Sequence, residues 1–239
     1  MQLWRFLTPS ALPWTLRQAA DFVVDRVTGA PPRTVQVREF VAQHARRGDP
    51  PDVLRAMDRF AMERRFLMNV GPEKGPLVVE LLDRLPGGAR VLELGAYCGY
   101  SAIMIASRLG PGGRLVSVEK DPVAADVSRA NVAYAGLADR VEVRQGASSD
   151  VIPTLTGPFD LVFLDHWKDL YEPDLRSIEK HGLLRPGSTV VADNVGPLFG
   201  AHAYLDYVRT CGRYDSESRM AKVEYSEMAD AVEISVWKG

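Results

Sequence analysis

Short apolar runs alternate with amphipathic stretches along most of the chain. The apolar runs predict five strands, at residues 90–94, 114–119, 141–145, 160–165 and 188–192. The stretches between them repeat their apolar residues with helical spacing, which predicts helices near 101–109, 122–135, 148–155 and 170–181. Strands that alternate with helices in this way predict a parallel sheet with helices on both faces.

Both ends of the chain depart from this alternation. After a predicted helix at 201–211, extended runs at 214–220 and 231–237 are joined by a short polar connection, which predicts an antiparallel hairpin. Before the first strand, the pattern predicts four helices and one loop: helices at 22–27, at 34–46, from 49 to about 68 and at 76–85, with the loop at 68–75. Because Pro31 and Pro32 interrupt the pattern, we expect an accessory segment at 1–34 and one main domain at 35–239.

Composition adds only broad limits to this picture. The 239 residues are 46% hydrophobic and 25% charged, as in ordinary globular proteins. The net charge of −2 gives no electrostatic reason to expect a nucleic-acid partner. The chain has two cysteines, Cys98 and Cys211, which favours a reducing compartment over a disulfide framework, so we expect a cytoplasmic protein. Its expected oligomeric state is a monomer or a homodimer.

The first residues carry several aromatic side chains, among them Trp4, Phe6 and Trp14. No stretch reaches the ~20 apolar residues that span a bilayer. Two interpretations remain: a segment that packs on the domain or on a second copy, and an anchor at a membrane surface. We favour the first, because residues 1–20 contain no lysine and have a thin basic face.

A glycine-rich turn follows the first predicted strand. Gly95 and Gly99 lie between that strand and a helix, an arrangement that brings backbone close to nucleotide-like ligands. Glu119 ends the second strand, where an acid can accept the ribose hydroxyls of a nucleoside. The glycine spacing is not G-x-G-x-x-G, so on these residues alone a nucleoside cofactor and a plain turn both stay open.

Two later strands end in acidic residues. Asp165 ends one, and Asp193 followed by Asn194 ends the next, so all three should meet at one edge of a parallel sheet. Carboxylate and amide oxygens suit Mg²⁺, although aspartate at a strand end also serves as a helix cap. Lys168 lies three residues after Asp165, where repulsion from a cation would favour its neutral form and a role as general base. Without a metal, it would be a solvated surface lysine.

Three further residues are weaker candidates for a functional role. His166 is a better hydrogen-bond partner than Mg²⁺ ligand, because this cation prefers oxygen. Trp167 suits either stacking on a heterocycle or packing in the core. Cys98 as a nucleophile is disfavoured, since no histidine and acid stand at an evident partner spacing.

Five motifs occur together in this chain: Met-Asn-Val-Gly at 68–71, Glu-Leu-Gly-Ala-Tyr-Cys-Gly-Tyr-Ser at 93–101, Gly-Ala-Ser at 146–148, Asp-His-Trp-Lys-Asp at 165–169 and Ala-Asp-Asn at 192–194. With them, the chain resembles the catechol O-methyltransferase family from about residue 35 to its C-terminus. The resemblance implies the Rossmann-like class I fold of methyltransferases that use S-adenosylmethionine (SAM). That fold is an α/β sheet of seven mostly parallel strands, the last one antiparallel.

The same resemblance implies a reaction and a set of site residues. A methyl group would pass from SAM to one hydroxyl of a catechol, with Lys168 as general base and Glu224 holding the second hydroxyl. Mg²⁺ would be held by Asp165, Asp193 and Asn194. The SAM site would be lined by Val70, Glu93, Gly95, Tyr97, Ser101, Glu119, Ser148, Asp165, His166 and Trp167.

The chain departs from the family pattern in two places that should border the substrate. Phe66 stands where the family usually has a tryptophan, and the loop at 195–200 differs from the usual form. An enzyme of the same fold that acts on another vicinal diol or phenol therefore stays an alternative, as does a non-catalytic SAM-binding module. The absent G-x-G-x-x-G pattern argues against a nicotinamide dehydrogenase.

Overall fold

A computed structural model of the chain describes residues 29–239. Seven strands run through it: β1 (Arg90–Leu94), β2 (Arg114–Glu119), β3 (Val141–Gln145), β4 (Phe159–Leu164), β5 (Leu184–Ala192), β6 (Tyr214–Lys222) and β7 (Ala229–Trp237). They form one sheet in the order β3-β2-β1-β4-β5-β7-β6. Strands β1 to β5 pair in parallel, whereas β7 is antiparallel to both β5 and β6. The expected seven-stranded α/β sheet with an antiparallel last strand is confirmed.

Helices cover both faces of this sheet. They are α1 (Arg33–His44), α2 (Pro50–Glu63), α3 (Gly71–Leu82), α4 (Tyr100–Arg108), α5 (Pro122–Tyr134), α6 (Ser148–Val151), α7 (Tyr171–Lys180) and α8 (His202–Thr210). Side chains alternate between the two faces of each strand. In β4, Phe163 packs in the core beneath α1 to α5, whereas Leu164 packs in the core beneath α7 and α8.

The boundaries of several elements differ from the prediction; helix α2, for example, ends at Glu63 and not near residue 68. Helix α3 begins at Gly71, inside the predicted loop, and Lys74 in its first turn is fully buried by a tertiary contact that local periodicity does not display. Strand β5 begins at Leu184, four residues before the predicted start. The predicted helix at 148–155 is a short α-helix followed by one 3-10 turn, which contains Pro153.

Backbone hydrogen bonds bring the carboxyl ends of the central strands together. The N–H of Asp165, just after β4, donates to Leu94 O at 2.9 Å, and the N–H of Asp193, just after β5, donates to Leu164 O at 2.9 Å. The residues that follow β1, β4 and β5 therefore lie side by side. This is the edge at which open α/β sheets bind their ligands.

The N-terminal segment lies almost entirely outside the described residues. The predictions for Trp4, Phe6 and Trp14, the helix predicted at 22–27 and the proposed boundary at residue 34 are therefore not tested by this structure. Within residues 29–239, no helix combines the length and apolar character that crossing a membrane requires.

Gly95 is required by the protein backbone itself. Its φ is +106°, and a Cβ there would lie 2.5 Å from the carbonyl oxygen of Asp165. The sequence suggests that a ligand's approach demands this glycine, but the end of β4 already fills the space. Gly187 has a similar φ of +91°, and a Cβ added there would have no atom within 4 Å, which makes this glycine a matched control.

We expect G95A to lower the free energy of unfolding by about 2–5 kcal/mol, from left-handed backbone strain together with overpacking. G187A should carry only the strain, about 1–2 kcal/mol. Urea denaturation followed by circular dichroism measures both values. Equal losses in the two variants would contradict the close contact between Gly95 and the end of β4.

Candidate active site

The residues predicted to bind SAM follow four strands that are neighbours in the sheet. Ser148 follows β3, and Glu119 ends β2. Glu93 is in β1, the turn after it carries Gly95 and Tyr97, and Ser101 is in the first turn of α4; Asp165, His166 and Trp167 follow β4. Because β3, β2, β1 and β4 are adjacent, these residues line one continuous stretch of the sheet edge. Val70 is buried immediately before α3.

Glu93 is a buried acid with an unused oxygen. Its Oε2 accepts a hydrogen bond from the Ser117 hydroxyl, and its Oε1 is buried without a donor in the described part of the chain. Burial raises the pKa of Glu93 to about 7, while Ser101 and Ser117 oppose the shift. A buried acceptor of this kind suits a ligand's ammonium group, such as that of the methionine part of SAM.

Glu119 is fixed by the turns around it. Its Oε2 accepts the N–H of Tyr97 at 2.8 Å, and its Oε1 accepts the N–H of Asp121 at 2.9 Å. Each carboxylate oxygen has two lone pairs, so both keep capacity for a further donor such as a ribose hydroxyl. Tyr97 has a φ of +47°, which the hydrogen bond to Glu119 helps to hold.

His166 and Trp167 take different roles at the end of β4. His166 Nε2 lies 2.7 Å from Asp174 Oδ2, and because a carboxylate can only accept, Nε2 carries the proton. His166 Nδ1 is buried without a partner among the described residues. Trp167 is 68% exposed, so core packing, one of its two predicted roles, is wrong. Its exposed indole ring is a flat apolar surface at this sheet edge, available for contact with a ligand.

The residues predicted to bind a metal come together after β4 and β5. The Lys168 ammonium donates to Asn194 Oδ1 at 3.0 Å and lies 3.7 Å from Asp165 Oδ1. Burial and the charge of Asp193 raise the pKa of Asp165 well above its usual range. Asp193 Oδ2 is buried without a donor in the described residues. The site thus holds one unpartnered carboxylate oxygen near a second carboxylate and an amide oxygen.

Lys168 is held by neighbours on its own loop as well. Its ammonium also donates to Tyr171 Oη at 2.8 Å and to the carbonyl oxygen of His166 at 3.2 Å. Tyr171 is buried and donates in turn to the carbonyl oxygen of Asp193 at 3.0 Å. Tyr171 therefore links the predicted general base to Asp193, the residue that carries the unpartnered carboxylate oxygen.

Behind this site lies an acidic triad formed by Asp193, Glu224 and Asp230, whose oxygens lie within 4.8 Å of one another. The Lys74 ammonium is inside it, 2.6 Å from Asp193 Oδ1 and 2.9 Å from Asp230 Oδ2, and it also pairs with Glu224. Burial alone would lower the pKa of Lys74, but the three carboxylates outweigh burial and raise it. Lys74 is consequently a permanent cation, and the triad already has its counterion.

The balance of charge at the site favours a divalent cation. Asp165, Asp193, Glu224 and Asp230 contribute four carboxylates, and Lys74 and Lys168 contribute two ammonium groups. When every one of these groups is ionised, two negative charges are left in a largely buried region. Burial raises the pKa of Glu224 to about 7, although Lys74 opposes the shift. All-oxygen donors with this surplus match the preferences of Mg²⁺.

Sequence patterns miss several residues of this site. They place Lys74 in a loop and give Asp230 and Tyr171 no role. Asp230 does carry one signal, because it shares a face of β7 with the buried Val232 and Ile234, where an acid is unexpected. Lys74 carries none, since nothing near it in the sequence reveals its partners.

Known proteins resemble this chain in amino-acid sequence and in fold. A family model described as O-methyltransferase matches residues 47–201. The chain is 41% identical over 248 residues to catechol O-methyltransferase B of Danio rerio, covering 99% of this chain and 93% of that protein. It is 43% identical over 210 residues to catechol O-methyltransferase of Bos taurus, with coverages of 85% and 76%. The O-methyltransferase TomG from Streptomyces achromogenes, solved in complex with SAM, aligns with a TM-score of 0.67 at 27% identity, covering 78% of this chain and 90% of that one.

Cys98 should be unreactive in the folded protein. It is fully buried, its Sγ donates to Asn69 Oδ1 at 3.2 Å, and burial raises its thiol pKa to about 12. Because the thiolate is the reactive form, we expect Ellman's reagent to modify only the half-buried Cys211 in native protein. The C211S variant should give no fast phase, and both thiols should react in wild type after unfolding. A fast phase that persists in C211S would contradict the burial of Cys98.

Proposed function

The chain belongs to the catechol O-methyltransferases of the O-methyltransferase family, and we propose that it transfers the methyl group of SAM to one hydroxyl of a catechol in a reaction that depends on Mg²⁺. The observation that carries the proposal is the convergence of Asp165, Asp193, Asn194 and Lys168 at one edge of the sheet. It is supported by the catechol O-methyltransferases of Danio rerio and Bos taurus among its relatives.

The metal would be held by Asp165, by the unpartnered Oδ2 of Asp193 and by Oδ1 of Asn194. When bound, Mg²⁺ supplies positive charge that eases ionisation of a phenolic hydroxyl, whose pKa is about 10 when unperturbed. The buried, negatively charged surroundings provide the oxygen donors for it. No residue of this chain is needed as a covalent nucleophile, which agrees with the buried thiol of Cys98.

In this proposal Lys168 removes the proton from the hydroxyl that is methylated. Its loop places the nitrogen beside Asn194 Oδ1 and Asp165 Oδ1, close to where that hydroxyl would lie. A base takes up the proton on a free electron pair, which the amine nitrogen at the end of this side chain supplies. In its ionised form, Glu224 would accept a hydrogen bond from the second hydroxyl of the catechol.

The residues proposed to bind SAM would orient its methyl group toward the catechol oxygen that is methylated. The sheet edge from β3 to β4 is lined by Glu93, Glu119, Ser148 and His166. Asp165 belongs both to the residues proposed for SAM and to those proposed for the metal. In the transfer, a bond forms between the phenolic oxygen and the methyl carbon while the carbon–sulfur bond breaks, and the sulfonium becomes a neutral thioether. Orientation of two bound reactants can lower such a barrier by about 7–11 kcal/mol.

The direct test is transfer of labelled methyl from SAM to a simple catechol with Mg²⁺, with a chelator, and with Mg²⁺ restored. We expect turnover, its loss in chelator and its recovery, because the proposed donors are all hard oxygens. Phenol and an aliphatic vicinal diol are the matched substrates, and they should be methylated far less.

Each outcome of this test separates the proposal from an alternative. Full turnover in chelator would remove the metal from the reaction. Preference for phenol or an aliphatic diol would favour another O-methyltransferase of the same fold, a possibility that Phe66 and the loop at 195–200 keep open. SAM binding without turnover on any of these substrates would indicate a non-catalytic SAM-binding module.

The K168M variant tests the general base. We expect a loss of kcat of about 10²–10⁴-fold with SAM affinity unchanged, since general acid–base catalysis contributes on that order. The matched control is K180M at the exposed end of α7, which should keep wild-type turnover. Calorimetry measures SAM binding and the labelled assay measures kcat. Wild-type turnover in K168M would contradict its role as base.

A further inference from the structure

Asp230 uses both of its carboxylate oxygens within the protein, although it has no part in the proposed reaction. It lies on β7 and is fully buried. Its Oδ1 accepts the N–H of Gly196 at 3.0 Å, and its Oδ2 accepts from Asn194 Nδ2 and Lys74 Nζ, each at 2.9 Å. Asp230 thus contacts the loop that carries a proposed metal ligand, and both of its oxygens are already engaged within the protein.

The side-chain amide of Asn194 is held in one orientation by charges on its two sides. Nδ2 faces the carboxylates of Asp230 at 2.9 Å and Glu224 at 3.2 Å, and only an NH₂ group can donate to them. Oδ1 faces the ammonium of Lys168 at 3.0 Å, and only an oxygen can accept from it. A reversed amide would set oxygen against two carboxylates and NH₂ against an ammonium group.

The backbone of the same loop is also tied to β7. Asn194 has a φ of +52°, in the left-handed region. Beyond it, the N–H of Val195 donates to Ala231 O at 3.0 Å, and the N–H of Gly196 donates to Asp230 Oδ1. A Cβ at Gly196 would lie 2.6 Å from Asp230 Cα, so loop and strand are in direct contact.

We propose that Asp230, with Lys74 as its counterion, is a positioning residue that directs the side-chain oxygen of Asn194 toward the metal. The inference rests on the proposed Mg²⁺ site. Asp230 draws the amide nitrogen inward, which leaves Oδ1 on the side of Lys168 and Asp165. Lys74 engages Asp193 through Oδ1 only and so leaves Oδ2 free.

The D230N variant tests this role. An amide at position 230 has a single acceptor atom, so it cannot accept both from Gly196 and from the Lys74 and Asn194 pair. The probe is Mn²⁺, which takes the same oxygen ligands, measured as free ion by electron paramagnetic resonance. We expect the Kd for Mn²⁺ to rise about 10–100-fold, as is typical when a partner of a metal ligand is lost. SAM affinity should stay at the wild-type value.

The matched control is E233Q on the same strand. Glu233 is also fully buried and ion-paired, but with Arg209 at 2.7 Å, and its side chain lies on the opposite face of β7 from Asp230. Its Mn²⁺ affinity should equal that of wild type. If D230N does not fold, D230S replaces it, because its shorter side chain no longer reaches the amide nitrogen of Asn194.

A double-mutant cycle with N194A separates positioning from a general change of charge. If Asp230 acts through Asn194, D230N should weaken Mn²⁺ binding in wild type but add little in the N194A background. An equal effect in both backgrounds, wild-type affinity in D230N, or the same loss in E233Q would overturn the inference. Wild-type protein that binds no Mn²⁺ would instead overturn the proposed metal dependence.

Discussion

The rest of the site depends on the ion pairs of one buried ammonium group. It belongs to Lys74 and lies among the carboxylates of Asp193, Glu224 and Asp230. Removing charged groups from water costs several kcal/mol per ion, and only close geometry with further hydrogen bonds offsets that cost. Lys74 has this geometry, and it reaches Asp230 across 156 positions of sequence. One cation thereby joins α3, the end of β5, β7 and the loop before β7. Without it, three carboxylates would repel one another beside the site.

Two groups of strands carry the residues of the proposed site. Strands β3, β2, β1 and β4 carry the residues proposed for SAM, and β4, β5 and β7 carry those proposed for the metal and its support. Strand β4 belongs to both groups, since Asp165 and His166 follow it directly. The two reactants would therefore meet above the end of β4. The exposed Trp167 lies at that point.

The fold could be predicted because its signals are local. Short apolar runs mark β1 and β4, and Gly95 marks the turn after β1, so the sheet and its edge follow from short stretches of sequence. Asp165, Asp193 and Asn194 could be grouped because parallel strands end at one edge. The partners of Lys74 and Asp230 could not, because such a pair depends on how distant elements pack. The exposure of Trp167 likewise depends on tertiary structure.

The place of β7 has a consequence for how the molecule is made. This strand lies between β5 and β6, both of which leave the ribosome before it. Domains tend to fold as units during synthesis, but here the gap between two earlier strands must wait for a later one to enter. Until β7 is inserted, Lys74 lacks one of its three counterions and Asn194 lacks its anchor. The surroundings of Asn194 and Lys74 therefore cannot be complete until the last strand of the sheet has paired with both of its neighbours.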